Sequence, residues 1–75
     1  MIRRFNVVAL SARRDHPTME HESTKHWTIG HHVTADHAAQ LEASILLDSA
    51  WPRVQVFRSS FSAIGRMVRE TEAAS

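Results

Sequence analysis

The sequence predicts a small α+β domain in which a three-stranded antiparallel sheet is backed by one main helix. Hydrophobic residues alternate with a period of two in three short segments, which is typical of strands. Between the second and the third of these segments, residues 34–50 carry apolar side chains at helical spacing. A sheet and a helix that each bury one face pack most simply against each other.

The first strand is predicted over residues 1–12. Phe5, Val7 and Ala9 would lie on one face of the sheet, and the opposite face also carries the apolar Val8. Apolar side chains on both faces favour a strand with neighbours on both sides. We therefore expect this strand in the centre of the sheet.

The next two segments are a loop and a second strand. Residues 13–24 are rich in charged and small polar side chains around Pro17, and they are too many for a tight hairpin turn. They predict a long, solvated loop. In residues 25–33, Trp27 and Ile29 alternate with polar or small residues. This pattern predicts an edge strand that is covered on one face only.

The main helix is predicted over residues 34–50. Thr34 is a favourable N-cap, and Asp36 in the first turn complements the helix dipole. Pro52 cannot continue a helix. The apolar arc of this helix is wider than one sheet face requires, so it predicts a further contact with a C-terminal segment or with a second copy of the chain in a homodimer.

The C-terminal third predicts one strand followed by a short helix or tail. Residues 53–59 alternate as a third strand, and residues 60–72 place Phe61, Ile64 and Met67 at helix-like spacing. Because a helical crossover between parallel strands is right-handed, the first strand is placed between the other two. The expected topology is β-β-α-β with strand order 2-1-3.

Length and composition exclude several classes of protein. The chain has 75 residues, which suits a single domain, and it has no cysteine for disulfides or thiolate chemistry. It lacks the run of about 20 apolar residues that spans a bilayer, so no membrane association is expected. The cytoplasm is the expected compartment. A formal net charge of +1 gives no strong overall field toward nucleic acid.

No constellation of catalytic or metal-ligating residues stands out. The serines lack a G-x-S-x-G elbow, and the two glycines cannot form a phosphate-binding loop. Four of the six histidines fall every five residues, and the other two repeat that interval. A spacing of five alternates between the faces of a strand and does not keep to one face of a helix. The histidines are His16, His21, His26, His31, His32 and His37. We therefore expect no enzyme, no cofactor and no metal site.

Arginine pairs leave a nucleic-acid alternative open. Arg3 and Arg4 lie near the start of the predicted first strand, Arg13 and Arg14 follow its end, and further arginines crowd the last third of the chain. Arginine suits bidentate recognition of phosphates and carboxylates. The aromatic residues fall in patterns that favour burial, so direct nucleic-acid binding is not expected. The alternative is a small nucleic-acid-binding or antitoxin-like regulatory protein that uses these arginines.

The remaining class is a non-enzymatic protein-binding module. With its short length, its lack of a catalytic motif and its alanine-rich helix beginning at residues 34–41, the chain resembles the anti-CRISPR inhibitors of type I surveillance complexes, which are small proteins of phages and mobile elements. The resemblance spans the whole chain and is one of format. It implies a non-enzymatic blocker that docks on the host surveillance complex and prevents either binding of target DNA or recruitment of the nuclease.

The expected contact residues lie in the charged loop and on the edge of the second strand. Loops adapt to partners, and exposed strand edges offer unpaired backbone groups. The predicted partner-binding residues are Arg13, Arg14, Glu20, Glu22, Thr28 and His32.

Overall fold

The computed structural model describes residues 3–13, 25–60 and 64–73. Its elements follow in the order β1 (Phe5–Leu10), β2 (His26–Val33), α1 (Ala35–Leu46), β3 (Arg53–Ser59) and β4 (Ile64–Glu72). The strands form one antiparallel sheet in the spatial order β2-β1-β3-β4. The predicted α+β class and the order of the first three strands are confirmed, and the sheet has a fourth strand beside β3.

The C-terminal helix predicted within residues 60–72 is wrong, because Ile64–Glu72 is strand β4. The register with β3 pairs Val56 with Arg69 but Phe57 with Met67, so Val68 is an extra residue in a β-bulge. Met67 and Val68 are adjacent apolar residues, so the sequence does not alternate as a regular strand does, and its apolar spacing resembles that of a helix. Residues 61–63 of the predicted helix lie outside the described residues.

Helix α1 begins where the sequence predicts and ends earlier. The hydroxyl of Thr34 accepts a hydrogen bond from the backbone N–H of His37 at 3.2 Å, which caps the first turn. After Leu46 the chain leaves the helix. Asp48 accepts a hydrogen bond from the backbone N–H of Ala50 on its carboxylate at 3.0 Å. Short polar side chains that bond nearby backbone in this way compete with helix continuation, so residues 47–50 form turns instead.

The core lies between α1 and the two central strands. Its fully enclosed residues are Val7 and Ala9 of β1, Ala38 and Ile45 of α1, and Val54 and Val56 of β3. The opposite face of β1 is also buried at Val8 and Leu10, as expected of a central strand. Helix α1 packs closely against β2 at Gly30. A Cβ atom at this position would lie only 2.7 Å from Leu41 Cδ1, so a glycine leaves the space that the leucine side chain occupies.

The two ends of the sheet carry different residues, and we call them the arginine end and the tryptophan end. At the arginine end, Phe5 of β1 pairs with Val33 of β2 and with Arg58 of β3. At the tryptophan end, Leu10 of β1 pairs with His26 of β2 and with Arg53 of β3. The adjacent pair joins Ala9 of β1 and Trp27 of β2. Helix α1 follows directly on the arginine end of β2, and β3 starts at the tryptophan end.

Candidate functional site: an arginine cleft

A cleft with a volume of about 520 Å³ opens at the arginine end of the sheet. This volume falls within the range of ordinary ligand sites, about 300–1,000 Å³. The residues that line the arginine cleft are Arg3, Phe5, Arg58, Arg66, Met67, Val68 and Arg69. They come from β1 and the segment before it, from β3, and from β4, so the register of three adjacent strands assembles the site.

Arg58 of β3 and Arg66 of β4 lie on neighbouring strands, and both line the cleft. Gly65 permits the close approach of the two strands here, because a Cβ atom at this position would lie 2.5 Å from the carbonyl oxygen of Arg58. Arg3, Arg58 and Arg66 are all exposed. Across the described ranges, no carboxylate comes within 4.0 Å of these three guanidinium groups. Within the part of the chain that the structure describes, the cleft therefore gathers positive charge that no carboxylate balances.

Arg69 also lines the cleft, but its charge is balanced by Glu42 of the helix. Its Nε donates to both oxygens of Glu42, at 3.0 and 3.2 Å, and its Nη2 donates to Oε1 as well. The hydroxyl of Thr71 donates to the same carboxylate at 3.4 Å. The hydrogen bond to Glu42 raises the pKa of Arg69, although burial partly opposes this rise. The pair shows how an arginine of this cleft holds a carboxylate.

The arginines of the tryptophan end are paired with carboxylates. Arg53 is buried, and its Nη1 lies 3.9 Å from Oε2 of Glu70. The Nη1 of Arg13 lies 3.6 Å from Oε2 of Glu72 at the far end of β4. Gln55 donates from Nε2 to Glu70 at 2.7 Å. These contacts join β3, β4 and the segment after β1, and we interpret them as structural.

Of the predicted loop residues, the structure describes Arg13 alone, and Arg13 does not line the arginine cleft. Arg13 lies beyond Leu10 at the tryptophan end and is engaged with Glu72. The three other predicted contact residues of the loop, Arg14, Glu20 and Glu22, lie outside the described residues.

Neither of the predicted β2 residues lines the arginine cleft. Thr28 is exposed and pairs with Val8 in the register. His32 is exposed and has a φ of 56°, a backbone conformation that is uncommon for residues other than glycine. Its backbone N–H donates to Oδ1 of Asn6 at 2.9 Å, and its Nδ1 lies 2.8 Å from Oγ of Ser59.

An exposed apolar surface lies at the tryptophan end. The rings of Trp27 and Trp51 pack with centroids 5.6 Å apart, and 49 % of Trp27 remains exposed. Leu47, just after the helix, is 89 % exposed. Exposed apolar residues of this size are typical of interaction surfaces when they cluster.

Comparisons with known proteins do not add a family to this description. No protein-family model, curated protein or solved structure matches the chain. Within the described residues, no group of three or more histidine, aspartate or glutamate side chains is placed to hold a metal ion. In the same part of the chain, no helix has the length and apolar character needed to cross a membrane.

Proposed function

We propose that this protein is a non-enzymatic protein-binding module of the inhibitor type, and that it engages its partner through the arginine cleft. The observation that carries the proposal is the placement of Arg58 and Arg66 on neighbouring strands with no carboxylate in reach among the described residues. Like charges that line one cleft repel each other. A partner that brings negative charge to the cleft removes this repulsion and gains charge-assisted hydrogen bonds.

The proposed partner is a host protein complex, and the resemblance to anti-CRISPR inhibitors nominates the type I surveillance complex. In this proposal the protein blocks binding of target DNA by occupying a surface of the complex, and it acts in the cytoplasm with its partner. A domain of this size can commit one end to a standard interface, which takes about 800 Å² per partner.

The test measures target-DNA binding by a purified type I surveillance complex in a gel-shift assay. We expect excess protein to abolish the shift, and we expect the double variant Arg58→Glu with Arg66→Glu to lose this inhibition. Lys25→Glu is the control, because Lys25 is exposed and adjoins the tryptophan end. An unchanged gel shift contradicts the proposed partner. Full inhibition by the double variant contradicts the role of the cleft.

Nucleic-acid binding is the second candidate, and a specific observation favours it. Phe5 is only partly buried and lines the arginine cleft, so an aromatic ring lies beside cations that suit phosphates. The leading proposal nevertheless expects no shift of duplex or single-stranded DNA at about 0.15 M salt, because three arginines neutralise few phosphates. A micromolar complex whose affinity falls steeply with salt would favour the second candidate.

A further inference from the structure

We propose that the arginine cleft and the outer edge of β4 together receive an extended, acidic segment of a protein partner. This inference rests on the proposed function, and it names the chemistry of the segment that docks. Two features of the structure carry it: the position of β4 in the sheet and the charge of the cleft beside it.

Strand β4 lies at one margin of the sheet. Among the residues that the structure describes, no strand lies beyond it, so its outer N–H and C=O groups face away from β3. A partner segment can add to such an edge as a further strand, with main-chain hydrogen bonds providing affinity. The opposite margin, β2, carries one lysine and several histidines nearby but no arginine.

The side chains along β4 select the composition of the docked segment. Arg66 and the neighbouring Arg58 present two guanidinium groups, and Met67 and Val68 follow with 41 % and 44 % of their surface exposed. Arginine binds carboxylates bidentately, and Arg69 binds the carboxylate of Glu42 on the helix in this way through Nε and Nη2. The surface therefore fits an extended segment that combines glutamate or aspartate with small apolar groups.

The overall charge of the chain favours carboxylates over a phosphate backbone. The net charge is +1 and the isoelectric point is about 8.6, below the values above about 9 that mark many nucleic-acid-binding domains. Three arginines of the cleft have no carboxylate within reach among the described residues, and they match a short acidic segment. A nucleic acid would require more extended positive charge to bind at moderate salt.

The first experiment measures binding of fluorescently labelled peptides by anisotropy. The probe is a ten-residue peptide of alternating glutamate and threonine, and its control replaces every glutamate with glutamine. We expect the glutamate peptide to bind at least tenfold more tightly. The variant Arg58→Glu with Arg66→Glu should lose at least tenfold in affinity for it, and Lys25→Glu should bind as the unchanged protein does.

Two controls keep the test decisive. Thermal unfolding establishes that the double variant folds, and Arg58→Gln with Arg66→Gln removes the same charges without reversing them. Peptides N-methylated at alternate residues, in the two possible phases, test the strand edge. We expect one phase to lose binding, because its methyl groups replace the N–H groups that point toward β4. Equal binding of both phases and of the unmethylated peptide overturns the edge contact.

The remaining outcomes separate this inference from the proposed function. Equal binding of the glutamate and glutamine peptides overturns the acidic segment, and so does the absence of any peptide binding. Tighter binding of a ten-nucleotide single-stranded DNA than of the glutamate peptide overturns a protein partner at this site. If the surveillance-complex assay still depends on Arg58 and Arg66 while no peptide binds, the inference fails and the proposed function stands.

Discussion

The two ends of the sheet use the same residue type in opposite ways. At the tryptophan end, Arg53 and Arg13 each lie beside a carboxylate of β4, and Arg53 is buried. At the arginine end, Arg58 and Arg66 are exposed and line the same cleft, with no carboxylate in reach among the described residues. An arginine that forms an ion pair within the chain contributes to the fold. Two exposed arginines without such an ion pair among the described residues are better explained as a binding site for a partner.

The largest expected effect tests the core that supports both ends. Ile45 is enclosed between α1 and the sheet, so Ile45→Ala should lower the free energy of unfolding by about 2–5 kcal/mol. Gln40 is exposed on the same helix, and Gln40→Ala should cost under about 0.5 kcal/mol. Urea denaturation measures both. Similar losses would mean that the helix packs in another orientation.

Next in size is a comparison of two arginines on the same strand. Arg69→Ala would leave the carboxylate of Glu42, which is 9 % exposed, without its guanidinium partner, and should cost about 1–3 kcal/mol. Arg66→Ala removes an exposed side chain and should change stability by less than about 0.5 kcal/mol. Chemical denaturation of both variants checks this difference. Equal effects would remove the distinction between paired and unpaired arginines.

A third prediction concerns the backbone that brings the two cationic strands together. Gly65→Ala places a methyl group against the carbonyl of Arg58, and the strands must separate locally to admit it. We expect a loss of about 1–2 kcal/mol, as for other overpacked sites. Gly30→Ala is the control, because its nearest contact is the end of the flexible Leu41 side chain, and it should cost less. Thermal unfolding measures both losses. A larger loss of stability in Gly30→Ala than in Gly65→Ala would mean that the contact between β2 and the helix is the tighter one.

The smallest effect compares one arginine from each end, the partly exposed Arg13 and the exposed Arg58. Arg13→Ala breaks a partly exposed ion pair with Glu72 and should cost about 0.2–1 kcal/mol. Arg58→Ala removes a cation that repels Arg66, so it should leave stability unchanged or raise it slightly. The difference should shrink as salt is added, because salt screens exposed charges. A clear loss of stability in Arg58→Ala would show that Arg58 is structural.

Local signals in the sequence were sufficient for most of the fold. Alternation predicted β1, β2 and β3, the bounds of β3 agree with residues 53–59, and Thr34 marked the start of α1. The early end of α1 and the strand β4 were missed. In β4 the bulge at Val68 disrupts the period of two, and pairing with β3 determines the structure of a segment whose own pattern favours a helix.

The candidate site could not be predicted in the same way. Arg58 and Arg66 are eight positions apart in the sequence, and their closeness depends on the register between β3 and β4. One signal was present at the sequence level, because Glu42 falls on the same helical face as Ala38 and Ile45. A carboxylate on a buried helix face predicts a cationic partner, and Arg69 is that partner.

The packed tryptophan rings lie outside the arginine cleft, so their fluorescence can report folding separately from binding. Trp27 and Trp51 are the two tryptophans of the chain, and they contact each other across the junction between β2 and the end of the helical segment. The arginine cleft is lined by a phenylalanine and contains neither of them. Intrinsic tryptophan emission should therefore change on unfolding in every variant and stay constant when an acidic peptide occupies the cleft. Stability can then be measured from this emission and affinity from the anisotropy of the labelled peptide in one sample.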